Sequence, residues 1–179
     1  MSASEPKAYT GIARTLHWLT AIGVLSMIPA GIVMGLIKGG ALQNFLFDYH
    51  RSMGVVLFII TVIRLFYRLA NPPKPLGDDI APMQKAVAAA VHYALYFLLL
   101  VNPLVGWIGT SYYPAKIKVF WLVELPALVG KNRPMSELLL EIHAYMGLAA
   151  AALVCLHLAG VFYHQFIRKD GVLMRMVTG

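Results

Sequence analysis

Cysteine and charge are what this chain has least of. A single cysteine, Cys155, stands among 179 residues, which excludes a disulfide framework and any cysteine-based metal site. It lies inside an apolar run and reads as a packing residue. Charged residues are only 13% of the chain, against about 25% in a soluble globular protein, while 59% are hydrophobic. Of the charged residues the acidic ones are scarcer, 8 against 15 basic. Glu5, Asp48, Asp78, Asp79, Glu124, Glu137, Glu141 and Asp170 all fall in connectors, tails or at the boundaries of apolar runs. A histidine-relay metal-ion transporter, which would want acidic groups inside its spans, is therefore disfavoured. There is no internal repeat and no low-complexity tract. The net charge of +7 invites nucleic acid, but Lys and Arg gather at the ends of apolar runs rather than on one polar face. That distribution suits lipid headgroups, and no nucleic-acid partner is expected.

What is present in quantity is apolar length. Four segments, at about 16–37, 50–69, 86–109 and 142–166, each approach the roughly 20 residues that a helix needs to cross a bilayer. The expected fold is all-α, a single domain over residues 1–179 forming an integral-membrane bundle of four helices. The clearest linker is Asn71–Asp79, whose prolines cannot extend a helix. The longest connector covers about 110–141. Its apolar middle, Val119–Val129 with Trp121 and Pro126, is too short to span and reads as an interfacial segment. The first apolar segment is too long for a signal-peptide core and has no A-x-A site after it, so it is expected to be retained. With the N-terminus inside, Lys7, Arg14, Arg64, Arg68, Lys74, Lys85, Arg168, Lys169 and Arg175 face inward. Lys38, Arg51, Lys116, Lys118, Lys131 and Arg133 face outward. The excess favours both termini in the cytoplasm. Gly31 and Gly35 make a small-xxx-small pair on the first helix.

Against this background the histidines stand out. His143 and His157 are 14 residues apart on the fourth segment, which on a helix puts them within about 40° of one face and about 21 Å apart along the axis. One helix thus offers imidazoles at two depths, near opposite surfaces of a hydrocarbon core about 30 Å thick. His50 opens the second segment level with His143. His17 opens the first at a depth compatible with His157, and His92, early in the third, competes with His17 for that partner. His164 lies at the inner boundary. An imidazole in hydrocarbon needs a partner, and each could merely hydrogen-bond a neighbouring helix. Two level pairs are most economically explained by a haem iron held at both axial positions in each pair, and without a C-x-x-C-H motif the haem would be b-type and non-covalent.

The surroundings fit two haems. Gly54 and Gly147 each follow a proposed ligand at i+4 and leave room for a flat macrocycle, as Gly160 does after His157; close helix contact is the alternative for each. Arg14, Arg51, Arg64 and Arg68 lie close to the ligands in sequence or depth and could meet haem propionates. Arg64, within an apolar run, is costly unless paired or snorkelling.

His17-Trp18, Asp48-Tyr49-His50-Arg51-Ser52-Met53-Gly54, Arg64-Leu65-Phe66-Tyr67-Arg68, Glu141-Ile142-His143, His157 and Tyr163-His164 together resemble the prokaryotic di-haem cytochrome b-561 family over almost the whole chain. The resemblance implies an outer haem on His50 and His143 and an inner one on His17 and His157. It also implies a place in the bacterial inner membrane, and transfer of single electrons from superoxide at the outer face to ubiquinone. An anion would be drawn to Lys116, Lys118, Lys131 and Arg133 in the outer loop, although Glu124, Glu137 and Glu141 weaken that patch. Quinone reduction also consumes protons, which singles out His164 and then His92 as groups for a quinone site. The rival within electron transfer is a cytochrome b subunit passing electrons between quinone and a periplasmic dehydrogenase or hydrogenase, with the Val119–Val129 segment as its docking surface.

Overall fold

The computed structural model describes residues 9–113 and 115–178; Glu5 and Lys7, counted above, lie outside them. Four long helices follow one another: α1 (Gly11–Leu36), α2 (Ala41–Ala70), α3 (Pro82–Tyr112) and α4 (Arg133–Phe162). Each is long and apolar enough to cross a membrane, with mean hydropathy of 2.0, 2.0, 1.7 and 1.9 over its best window. Helix α4 then widens into a π-helical segment, Tyr163–Arg168, and a short α5 (Met174–Val177) ends the described chain.

Local chemistry sets the ends of the helices. The Thr10 hydroxyl accepts from Ala13 N–H at the start of α1, and the Asn132 side chain accepts from Met135 N–H at the start of α4. Pro82 and Pro134 occupy first-turn positions, where a missing N–H is harmless. Between α1 and α2 the chain reverses through Gly39 and Gly40, with φ of 78° and 94° that other residues rarely adopt.

The helices run further than the apolar segments because the flanking residues are helical too. His50 does not open its helix but lies nine residues inside α2, and His143 lies ten residues inside α4. The long connector shrinks to residues 113–132 and holds a structure the sequence reading lacked, an antiparallel hairpin of β1 (Ile117–Val119) and β2 (Val123–Leu125), with Lys118 opposite Glu124. Strands of three residues are too short for alternation to show. The turn between them is also disguised: Phe120 and Trp121 take φ of 46° and 62°, where Asn or Gly is customary. Buried Ser52 of α2 pins this hairpin, accepting from Phe120 N–H at 2.9 Å and donating to the Lys118 carbonyl at 3.2 Å.

The bundle is apolar outside and small inside. Leu36, Ile22, Phe66, Leu69 and Phe97 are exposed on its flanks, while Thr20, Ser52, Thr61 and Ser136 are buried. Buried hydroxyls satisfy themselves on carbonyls, Thr20 on Leu16 at 2.7 Å, Thr61 on Leu57 at 2.7 Å and Ser136 on Gly109 across to α3 at 2.8 Å. Small residues let helices approach where lipid gives no hydrophobic drive. Helix α1 packs chiefly on α2, and α3 on α4; the backbones of α2 and α4 scarcely approach. The histidines lie between these two helical hairpins.

Candidate functional site

At the end of the bundle that carries the β-hairpin, His50 from α2 and His143 from α4 meet with ring centroids 6.0 Å apart. His143 Nδ1 lies 2.9 Å from the Asn102 carbonyl of α3, which can only accept, so Nδ1 carries the proton and Nε2 keeps a free lone pair. The backbone is cut away behind both rings. A Cβ on Gly106 would come within 2.9 Å of His143, and one on Gly31 within 3.1 Å of His50. His50 Nδ1 is buried without a well-formed hydrogen bond, the Met27 carbonyl being the backbone group beside that ring. Asn102 Oδ1 is buried and unpartnered as well.

At the opposite end three imidazoles gather. His157 of α4 stands 6.4 Å from His17 of α1 and 5.3 Å from His92 of α3, ring centre to ring centre. Two imidazoles on opposite sides of one first-row metal, each about 2 Å from it, have their centres about 6 Å apart. The His50–His143 and His17–His157 separations match that figure, whereas His92 sits close for it. Arg64 donates from a terminal nitrogen to His17 Nδ1 at 2.9 Å, so neutral His17 carries its own proton on Nε2. Ligation through that nitrogen requires Arg64 to give up the bond. The Arg64 guanidinium also stacks over the Tyr96 ring, 5.3 Å from its centre. A narrow cleft of about 20 Å³ beside it is lined by Arg64, Arg68, Tyr9, Tyr67, Asn71 and Tyr96. The Tyr96 hydroxyl is buried and unpartnered.

Other sequence candidates are placed differently. Arg14 donates to the Val177 carbonyl at 3.1 Å, and Trp18 to that of Met176 at 3.1 Å, so both hold the C-terminal tail rather than a histidine cluster. Arg51 stands 3.9 Å from Asp48 and over Phe47, one residue from His50. Gly54 looks onto Met27 at 3.7 Å and Gly147 onto Asn102 at 3.9 Å, ordinary contacts that leave space without touching a histidine ring. Lys116 is 2.8 Å from Glu124, so its charge is spent locally, and Lys118 faces the same carboxylate across the hairpin. Sequence reasoning passed over Gly31 and Gly106 as ring neighbours. It also missed Asn102, although an amide next to Pro103 within an apolar run was a signal.

His164 lies beyond the three-histidine cluster, on the π-helical segment. Its Nδ1 is 2.6 Å from Asp170 Oδ2, with both side chains largely buried. Burial pulls the Asp170 carboxyl up, but the His164 hydrogen bond, the Val172 N–H and the charges of His164 and Arg168 outweigh it and hold the group below its ordinary value.

Residues 8–179 match the family model described as prokaryotic cytochrome b561. The chain is 28% identical over 97% of its length to cytochrome b561 homolog 2 of Escherichia coli, covering 93% of that protein. It is 26% identical over 90% of its length to cytochrome b561 homolog 1 of the same organism, covering 92%. It is also 22% identical to the probable superoxide oxidase CybB of Yersinia pestis, over 96% of each chain.

Proposed function

The chain belongs to the prokaryotic cytochrome b561 family, and on that premise we propose that it carries electrons across the bilayer on two b-type haems, taking them from superoxide at the periplasmic face and giving them to ubiquinone. Membership makes it a membrane electron-transfer protein and a binder of b-type haem; the number of haems, the donor, the acceptor and the facing of the termini are the proposal.

One observation carries it: two histidine pairs of nearly equal separation, 6.0 and 6.4 Å, stand at opposite ends of one bundle and share α4. His50 and His143 would hold the outer haem, and His17 and His157 the inner. The residues present fit the group. Glycine backs both outer rings, His50 Nδ1 is left without a good partner, and α2 and α4 keep their backbones apart. Bound haem supplies reversible one-electron carriage; the polypeptide supplies the rest. The Asn102 carbonyl fixes the His143 tautomer and leaves Nε2 as the atom that would ligate the iron. Arg64 and Arg68 line the cleft next to His17 and would meet carboxylates there. Two superoxide anions give up one electron each and leave as oxygen; ubiquinone takes both electrons and two protons to become ubiquinol. Protons reach it through imidazole, with His164 first and His92 second as donors. The positive-inside excess supports termini in the cytoplasm of a bacterial inner-membrane protein.

A reduced-minus-oxidised spectrum of purified protein is expected to show low-spin b-type haem at two per chain; a single haem sinks the two-site reading. Oxidised protein mixed with superoxide is expected to become reduced far faster than in a heat-inactivated control, and to reoxidise on adding ubiquinone. A second reading, a periplasmic protein as electron donor, is favoured by the hairpin tip, where Trp121, Leu122 and Val123 are exposed at 63%, 87% and 60%. Failure of superoxide to reduce the haems would leave that reading standing.

A further inference from the structure

Helix α4 does not simply stop at the membrane boundary. At Tyr163 it loosens into a π-helical segment ending at Arg168, and Lys169 then turns the chain back in the left-handed conformation with φ of 55°. π-Segments are rare and recur at functional sites. The consequence here is specific, because the reversal returns Asp170 to the side chain of His164, six residues earlier.

The carboxylate of Asp170 is held on all sides. Oδ2 accepts from His164 Nδ1 at 2.6 Å and lies 3.1 Å from Arg168 Nε, while Oδ1 accepts from Val172 N–H at 3.2 Å. Arg168 is itself anchored, donating to the Asp79 carboxylate at 2.9 Å, the Asp79 carbonyl at 3.0 Å and Gln84 at 3.3 Å. Gln84 in turn reaches the Tyr163 hydroxyl at 3.5 Å. Among the described residues, the charged and titratable groups about His164 are therefore Asp170 and Arg168 from its own stretch of chain, Asp79 from the connector before α3 through Arg168, and the Tyr163 phenol packed edge-on 5.6 Å away. An ionised carboxylate only accepts. His164 consequently keeps a proton on Nδ1 and presents Nε2 as the atom that takes up or releases the working proton, the division of labour known from carboxylate–histidine couples in catalysis.

We propose that Asp170 is a positioning residue for proton delivery to the quinone, fixing His164 in the Nδ1–H tautomer so that its Nε2 hands a proton to a quinone oxygen while the two electrons arrive from the inner haem. The proposal rests on the quinone-reductase reading above. Electrons come from superoxide by way of the haems; the protons come from water on the side of the termini through His164, which is reprotonated after each transfer.

The test uses the intact haem-loaded protein in lipid, with His164→Gln and Asp170→Asn as variants. Haem content and the rate of haem reduction by superoxide are expected to be unchanged in both. Haem reoxidation at saturating ubiquinone is expected to fall about 100-fold in His164→Gln and about 10- to 100-fold in Asp170→Asn, with little change in the quinone concentration giving half the maximal rate. Nitrogen-15 spectra of the imidazole are expected to report an Nδ1–H tautomer in the parent and a mixture in Asp170→Asn, which a purely structural cap on the helix would not produce. Asp170→Glu, keeping the carboxylate, is expected to recover part of the rate. Equal reoxidation rates in parent and variants, or an Nε2–H tautomer in the parent, overturns the proposal. If the parent itself passes no electrons to ubiquinone, the quinone reading fails instead, and the two failures are told apart.

Discussion

The two histidine clusters differ more than their similar spacings suggest. The His50–His143 end is spare: two rings, glycine behind each, a backbone carbonyl fixing one tautomer, and Arg51 beside Asp48. The His17–His157 end is crowded, with a third imidazole at 5.3 Å, a guanidinium bonded to His17 and a cleft lined by two arginines and three tyrosines. On the proposed reading the first would hold its ligand between two rings backed by glycine, only one of which has its tautomer fixed by a hydrogen bond. The state of one ring differs as well: His143 carries its proton on Nδ1 and a lone pair on Nε2, whereas His17 Nδ1 accepts from Arg64 and leaves the proton on Nε2.

The sharpest break in this comparison is ligand deletion. His143→Ala is expected to halve the haem content and spare the inner spectrum, and His17→Ala to do the reverse. His92→Ala is expected to leave two haems per chain, and loss of the inner haem in that variant would move the ligand role from His17 to His92. Next comes Gly106→Ala. Its Cβ would enter within 2.9 Å of His143, and such overpacking costs about 1–3 kcal/mol; outer haem occupancy should drop while inner haem stays, as measured by haem stoichiometry and thermal stability.

Removing the guanidinium tests the crowded end. Arg64→Gln is expected to shift the reduction potential of the inner haem alone, read by redox titration of the spectrum, because it deletes a half-buried positive charge near one site and not the other. Ser52→Ala removes both hydrogen bonds that pin the hairpin and is expected to cost about 1–3 kcal/mol, with faster amide exchange confined to residues 117–125. The smallest effect concerns pH. Asp170 titrates below the ordinary carboxylate value of 3.8 in the folded chain, so the stability it contributes is present above that value and is lost as pH falls through the folded one. Amide exchange in the C-terminal turn should therefore quicken on acidification there, with no matching change at the spare end.

Much of this was legible in the sequence, for identifiable reasons. The four spans follow from run length, and the level pairs from a 14-residue interval on one helix. The depth argument tolerated an error in where α2 and α4 begin, since both helices gained a similar number of residues at the same end. The partners of the rings were less readable. Gly54 and Gly147 were chosen by adjacency along their own helices, whereas the glycines against the rings, Gly31 and Gly106, belong to neighbouring helices and depend on their rotation. The hairpin was hidden by strands of three residues and a turn of Phe-Trp. Asp170 looked like a tail residue, because only a π-helical stretch followed by a left-handed lysine brings it back to His164.

Gly106 and Gly31 also change how the chain should be read under mutation. The surface of the outer site is recorded as a mould records a shape, in atoms that are not there. A scan that only trims side chains back toward alanine would pass over these two positions, which have none to trim. A scan that adds a single methyl group would find in them the outline of both rings.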